Sequence, residues 1–322
     1  MLYFIVGDDI MSKEQHMTSI GGSAVMEGVM MRGPKEIATA VRKPDGEIEL
    51  DKRAVSSLVS KYHVNKIPIL RGVFAFFDSM ITSVRALMWS AEFVDLEDDS
   101  QEPSKIEKWL TEKLGDKMKD AVIYFSVIVS VIFSVGLFFI LPNLITSLVA
   151  KFIPGNLLKT LIEGVVRIGI FLGYILIVSQ MEDIKRVFQY HGAEHKTIFC
   201  YEAGLELTPE NARKMSRLHP RCGTSFLVFV MIISIILFSF LSWENMVMRI
   251  VLRLLLLPVV AGLSYEVIRW AGKSQSKIVC TISKPGMFLQ KITTREPDDK
   301  QLEVAIAAMK AVLTDNKEDD KW

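Results

Sequence analysis

The chain has 322 residues, half of them hydrophobic, and a formal net charge of +1. This balance of basic and acidic side chains leaves no electrostatic footprint for nucleic acid. Three cysteines (Cys200, Cys222 and Cys280) are too few and too scattered for a disulfide framework.

Met1 to Val6 is apolar but lacks a basic flank and is too short for a signal peptide. Residues 1–20 read as a disordered extension, with Met11 and Met17 as alternative starts. Residues 21–66 form the next region. Gly21-Gly22-Ser23 opens a Gly- and Met-rich segment, Ala24 to Pro34. Ile37 to Val41 and Glu47 to Leu50 then flank Lys43-Pro44-Asp45-Gly46, a turn sequence that predicts a small N-terminal β-hairpin. Residues 67–93 are apolar but carry Arg71, Asp78 and Arg85 seven apart, a polar stripe on one helix face. An amphipathic interfacial helix or a re-entrant hairpin fits better than a span. Residues 94–120 read as an acidic linker followed by a cytoplasmic helix.

The sequence then predicts a mainly α, polytopic membrane protein with about four transmembrane helices over residues 121–268. Ala121 to Leu141 and Thr224 to Leu241 contain no charged residue, and each is long enough to cross about 30 Å of hydrocarbon. Thr160 to Val178 is a span despite Glu163 and Arg167, and a fourth runs from about Met246 to Ile268 with Arg249 and Arg253 at its start. The favoured reading of those four charges is an ion-paired cluster joining two helices. Lys and Arg gather before span one, between spans two and three, and after span four, which places both termini and the 180–223 loop in the cytoplasm. The protein is thus expected in the cell membrane, multi-pass. Residues 269–322 form a C-terminal helical region, with Asp298 capping a helix through Leu313 and a frayed polar end.

Three of the five histidines fall in one window. Span two is expected to continue as a helix through Tyr201 to a C-cap near Gly204, putting His191, Glu194 and His195 on one face. A short helix from Thr208-Pro209 to about Leu218 then brings His219 and Cys222 back towards them. His191-Gly192-Ala193-Glu194-His195 matches the His-x-x-Glu-His pattern of inverted zinc metallopeptidases. Two imidazoles one turn apart can share a divalent ion, with Zn²⁺ the first candidate, and the carboxylate can polarise a bound water. His219 is the expected third ligand and Cys222 the next. If both bind, the site is closed and structural; if Cys222 does not ligate, the fourth position is open and Glu194 is the catalytic base. The plain alternative is a solvated helix with surface histidines. Glu202 reads as solvated, Cys200 as packing, and Lys196 as solvated or snorkelling. No spacing argument assigns Glu27 or Arg32.

Gly21-Gly22, Glu27-Gly28-Val29-Met30-Met31-Arg32-Gly33-Pro34, His191 to Lys196, His219-Pro220-Arg221-Cys222-Gly223-Thr224-Ser225 and Gln290 to Pro297 resemble the YqhQ-like bacterial membrane proteins. The resemblance covers residues 20 to 313. Members of that family, of unknown function, are commonly labelled metal-dependent enzymes. It implies a membrane location and a metal site on His191, Glu194, His195 and His219. The expected function is a metal-dependent hydrolase acting on a membrane lipid or membrane-presented substrate at the cytoplasmic face. The alternative is a non-catalytic scaffold or regulatory protein with a structural metal.

Overall fold

The computed structural model describes residues 16–93, 118–241, 245–272, 277–314 and 316–321. The extension read over residues 1–15 and the acidic linker read over 94–117 lie outside them. Chain contacts divide the molecule into two compact units. One comprises residues 1–94, 175–234 and 255–322, and the other 95–174 and 235–254.

The first unit is built on a four-stranded antiparallel sheet in sequence order: β1 (Gly21–Val25), β2 (Gly28–Arg32), β3 (Glu36–Arg42) and β4 (Ile48–Ala54). The expected hairpin is present as β3–β4, closed by a turn in which Gly46 takes φ 90°. The Gly- and Met-rich segment supplies a second hairpin that the sequence did not announce. Val29, Met30 and Met31 are all buried, so β2 is covered on both faces and lacks the alternation that marks a half-buried strand. Glu27 turns the β1–β2 corner with φ 47°. This left-handed backbone is uncommon for a residue with a Cβ.

Leu58–Lys61 makes a single helical turn, α1, that the sequence did not announce, and the helix expected within residues 67–93 is present as α2, Leu70–Ala91. The first two residues of the α2 polar stripe face the protein: Asp78 is buried and accepts from the Arg32 guanidinium at 2.6 Å, while Arg71 pairs with Glu266; Arg85 is exposed. The apolar residues Phe77, Met80, Ile81, Val84, Leu87 and Met88 of α2 are exposed.

The second unit contains α3 (Met118–Val135), a π-turn (Gly136–Ile140), α4 (Leu141–Val149) and a 3₁₀ turn (Ala150–Phe152) as one continuous rod. The first span therefore does not stop at Leu141. Pro142 sits in the first turn of α4, where the preceding wide turn absorbs its missing N–H. Helix α5 (Asn156–Val178) follows. Within this unit Glu163 accepts from Arg167 at 2.8 Å and from Arg253, and Arg249 donates to Asn143 Oδ1 at 2.7 Å. The charges thus form the expected ion-paired cluster, with the Phe238 ring 5.4 Å from the Arg167 guanidinium.

Helix α5 does not continue into the His-bearing helix. The chain breaks at Ser179–Met181, with Arg295 donating to the Ser179 carbonyl at 3.0 Å, and α6 (Glu182–Glu202) starts afresh. It ends as expected, with Gly204 at φ 68°. Helix α7 (Pro209–Arg213) is capped by Thr208 but stops well before Leu218. Helix α8 (Gly223–Phe238) is 16 residues long, roughly 24 Å at 1.5 Å per residue. That is short of the hydrocarbon core, so the expected four spans become three helices long and apolar enough to cross: Ile128–Phe152, Asn156–Val178 and Val247–Ala271. The last of these belongs to α9 (Met246–Gly272), followed by α10 (Lys277–Thr293) and α11 (Asp299–Val312).

Helix α11 carries the expected Asp298 cap, with a reciprocal box to Gln301. Its Leu302, Ala305 and Met309 pack with Tyr190 and Ala193 of α6 under Met31 and Ala38 of the sheet. The tail is not frayed at Asp320, which is fully buried. It accepts from Thr18 Oγ1 and Tyr201 Oη, both at 2.9 Å, and lies 2.6 Å from His16 Nε2. The same contacts order residues 16–20, correcting that end of the expected extension.

Candidate metal centre

Helix α6 brings His191 and His195 one turn apart, their rings 4.4 Å between centroids. Each is fixed through Nδ1 by a backbone carbonyl: His191 to Thr293 at 2.8 Å, His195 to Arg217 at 2.6 Å. Those bonds put a proton on Nδ1 and aim Nε2 of each ring away from the carbonyl, the orientation a metal-binding imidazole needs. His191 Nε2 lies 3.2 Å from Cys222 Sγ, and His195 Nε2 is buried without a hydrogen-bond partner. Cys222 precedes α8 directly, and its sulfur accepts from the Thr224 hydroxyl at 3.3 Å.

One ligand atom from each of His191, His195 and Cys222 lies within 4.8 Å of the others. Tetrahedral Zn²⁺ bonds to nitrogen and sulfur would set such donors roughly 3.3–3.6 Å apart. The arrangement fits a divalent ion with small adjustment, and the donor set (two imidazoles and a thiol) is soft enough for zinc. Burial alone would raise the Cys222 thiol, but the imidazoles of His195 and His191 hold it well below its ordinary value. Burial likewise opposes charge on His191, yet the facing sulfur outweighs it and lifts the imidazole to about 9. A thiol held so readily as thiolate is prepared for metal or for nucleophilic chemistry.

The residue expected third is placed otherwise. His219 Nδ1 accepts the Arg221 N–H at 3.3 Å, and its Nε2 faces Glu202 at 3.7 Å. Burial depresses the His219 imidazole, against the pull of Glu202. Its backbone is held by Gln290, which accepts from His219 N at 2.7 Å and donates to its carbonyl at 2.8 Å. Cys222 takes the position expected for His219.

Glu194 stands on the same side of α6, buried, with Oε2 lacking a partner. Burial raises its carboxyl above the usual range, against His195 and His191. Strand β1 approaches it so closely that a Cβ on Gly22 would lie 3.0 Å from the Glu194 carboxyl carbon. This close approach, with the Met30 carbonyl closer still at 2.5 Å, explains Gly22 but not Gly21, beside which there is open space. Glu194, His195, His219 and Cys222 line a cavity of about 320 Å³. Its remaining wall includes residues 18–22, Arg32 to Pro34, Arg221, and Ser79, Thr82 and Ser83 of α2.

Several polar residues are busier than the sequence indicated. Glu202 is buried rather than solvated, accepting from Arg221 and from Thr18 N at 2.9 Å. Lys196 is also buried, donating to the Arg213 and Met215 carbonyls at 3.0 and 2.7 Å. Cys200 packs in the core as expected, its thiol pushed up by burial to about 11. Glu27 and Arg32 do not pair with one another. Glu27 takes the Arg186 guanidinium at 2.5 Å and Arg32 takes Asp78. Sequence reasoning missed Gln290, Thr293 and Arg217, because backbone carbonyls and a backbone-clamping amide leave no spacing signature.

The sequence profile of a family described as "Protein of unknown function (DUF1385)" matches residues 67–315. The chain is 36% identical over 304 residues to "Uncharacterized protein YqhQ" of Bacillus subtilis (strain 168), covering 94% of this chain and 95% of that protein. No solved structure matches.

Proposed function

The chain belongs to the DUF1385 family of proteins of unknown function, and we propose that it is a membrane-bound, metal-dependent hydrolase with His191, His195 and Cys222 as its metal ligands. The observation that carries this reading is the convergence of three ligand atoms within 4.8 Å beside a cavity that Glu194 also lines. Three protein ligands with a fourth position facing a cavity are the pattern of catalytic zinc, whereas structural zinc is closed by four. When bound, the ion supplies Lewis acidity and a water of lowered pKa.

Glu194 is the general base. Glu194 lines the cavity and its buried Oε2 has no hydrogen-bond partner, and a carboxyl raised by burial is better matched to proton transfer near neutrality than an exposed one. Thr293 and Arg217 act through the histidines, holding each ring in its ligating tautomer. The three apolar helices support a location in the cell membrane. The distribution of Lys and Arg supports cytoplasmic termini and a cytoplasmic site, where Cys222 stays reduced. The substrate is then a lipid or a membrane-presented bond.

A non-catalytic scaffold with a metal staple is the second reading. It is favoured by the number of segments that meet at the ligands, since the 290–297 and 213–222 stretches both close on α6. Glu194→Gln separates the two readings. It is expected to keep metal and fold while failing to complement a deletion of the gene. Full complementation by that variant contradicts the hydrolase.

A further inference from the structure

The wall of the cavity opposite the metal ligands belongs to α2, and this helix has two unlike faces. Ser79, Thr82 and Ser83 line the cavity, while Met80, Ile81 and Val84, next to them on the helix, are exposed. Helix α2 is held against one of the membrane-crossing helices. Gly72 lies so close to Gly262 that a Cβ would be 3.0 Å from the Gly262 Cα, and Arg71 pairs with Glu266. Both partners lie in Val247–Ala271. Close crossing of small residues is the usual way two helices pack within a bilayer. The apolar face of α2 lies beside the residues of the same helix that line the cavity.

The polar end of the cavity is built for an anion. Arg32 and Arg221 both line it, together with the backbone of Gly21, Gly22 and Gly33. Each guanidinium is positioned by a carboxylate, Asp78 at 2.6 Å for Arg32 and Glu202 for Arg221, so it is oriented before any ligand arrives. Among the described lining residues three buried side-chain atoms lack a hydrogen-bond partner: Glu194 Oε2, His195 Nε2 and His219 Nε2. Buried polar atoms without partners are rare outside sites that await a ligand.

We propose that the cavity takes the phosphate-bearing headgroup of a membrane lipid, with its acyl chains lying along Met80, Ile81 and Val84 of α2. The inference rests on the metal-site reading for what happens to the headgroup, but not for its binding. The Arg32 and Arg221 guanidiniums recognise the phosphate oxygens. The exposed methionine and aliphatic face replaces a dry protein wall for the chains.

The test uses the full-length protein, delipidated in detergent and incubated with phosphatidylglycerol or with phosphate-free diacylglycerol of identical chains. Bound lipid is counted by native mass spectrometry, and metal content is measured on the same samples. Phosphatidylglycerol is expected to bind about tenfold tighter than diacylglycerol, and Arg32→Gln to remove most of that preference. Ser83→Trp, which fills the cavity beside α2, is expected to abolish retention of both while leaving metal in place. Equal retention of the two lipids, or unchanged retention in both variants, overturns the proposal. Displacement of phosphatidylglycerol by equimolar inorganic phosphate or glycerol phosphate also overturns it, by showing that the occupant is a soluble anion. Loss of lipid preference with metal retained refutes this inference alone. Lipid preference without metal refutes only the metal reading.

Discussion

Gly192 is the most informative position outside the ligands. A Cβ there would run into the carbonyl oxygen of Arg295, with Pro297 Cδ 3.4 Å away. The colliding atom is backbone, and Arg295 N is itself bonded to the Phe188 carbonyl at 2.8 Å, so the 293–297 segment cannot yield locally. In Gly192→Ala it must lift away from α6 as a unit. Overpacking of this kind costs about 1–3 kcal/mol. The same segment carries the Thr293 carbonyl that fixes His191, so the damage reaches the metal. Loss of such an orienting partner weakens metal binding by about 10–100-fold. Chelator competition on purified protein would read the affinity, and thermal unfolding in detergent would read the stability. Both should fall, although Gly192 is neither a ligand nor in contact with one through its own side chain. Wild-type affinity together with wild-type unfolding would refute the argument that this glycine exists to admit the 293–297 strand.

Two further outcomes follow from the charge networks. Glu163→Gln leaves Arg167 and Arg253 without their shared carboxylate among apolar helices, which should cost about 3–5 kcal/mol and lower the melting temperature in detergent. A fully stable Glu163→Gln protein would show that the cluster is not a structural ion pair. Glu202 is held below its ordinary value of 4.5; burial opposes this, but His219 and Arg221 outweigh it. A depressed carboxylate contributes stability above its unfolded pKa and loses it as pH falls through the lower folded value. The gap in melting temperature between wild type and Glu202→Gln should therefore shrink as pH drops below about 4.5. A gap independent of pH would mean that Glu202 matters for packing rather than charge.

The candidate cluster was legible in part because two of its members lie on one helix. The i, i+4 spacing of His191 and His195 fixes their shared face whatever the tertiary fold does. The third member was harder to read, because His219 and Cys222 lie three residues apart in a stretch where no regular periodicity states which side chain turns inward. In the fold His219 faces Glu202, which had itself been read as solvated, and Cys222 joins the two histidines. A carboxylate seven residues beyond His195 shows its partner only once Arg221 and Thr18 have been folded onto it. The first hairpin was hidden for a related reason, since Val29, Met30 and Met31 are buried on both faces. The third span failed on length, because Gly223–Phe238 is apolar throughout yet stops at 16 residues. The C-terminal helix was readable to its cap because Asp298 and Gln301 carry a local signal. The burial of Asp320 was not, since its partners are some 120 to 300 residues away.

The central claim is that His191, His195 and Cys222 hold a divalent metal while His219 does not. It is tested most directly by metal content per chain in wild type, Cys222→Ser, His191→Ala and His219→Ala, each purified without added metal or chelator. The account predicts about one ion per chain in wild type, loss in Cys222→Ser and His191→Ala, and retention in His219→Ala. Wild-type protein without metal, or a His219→Ala protein stripped of metal while Cys222→Ser keeps it, would contradict the account.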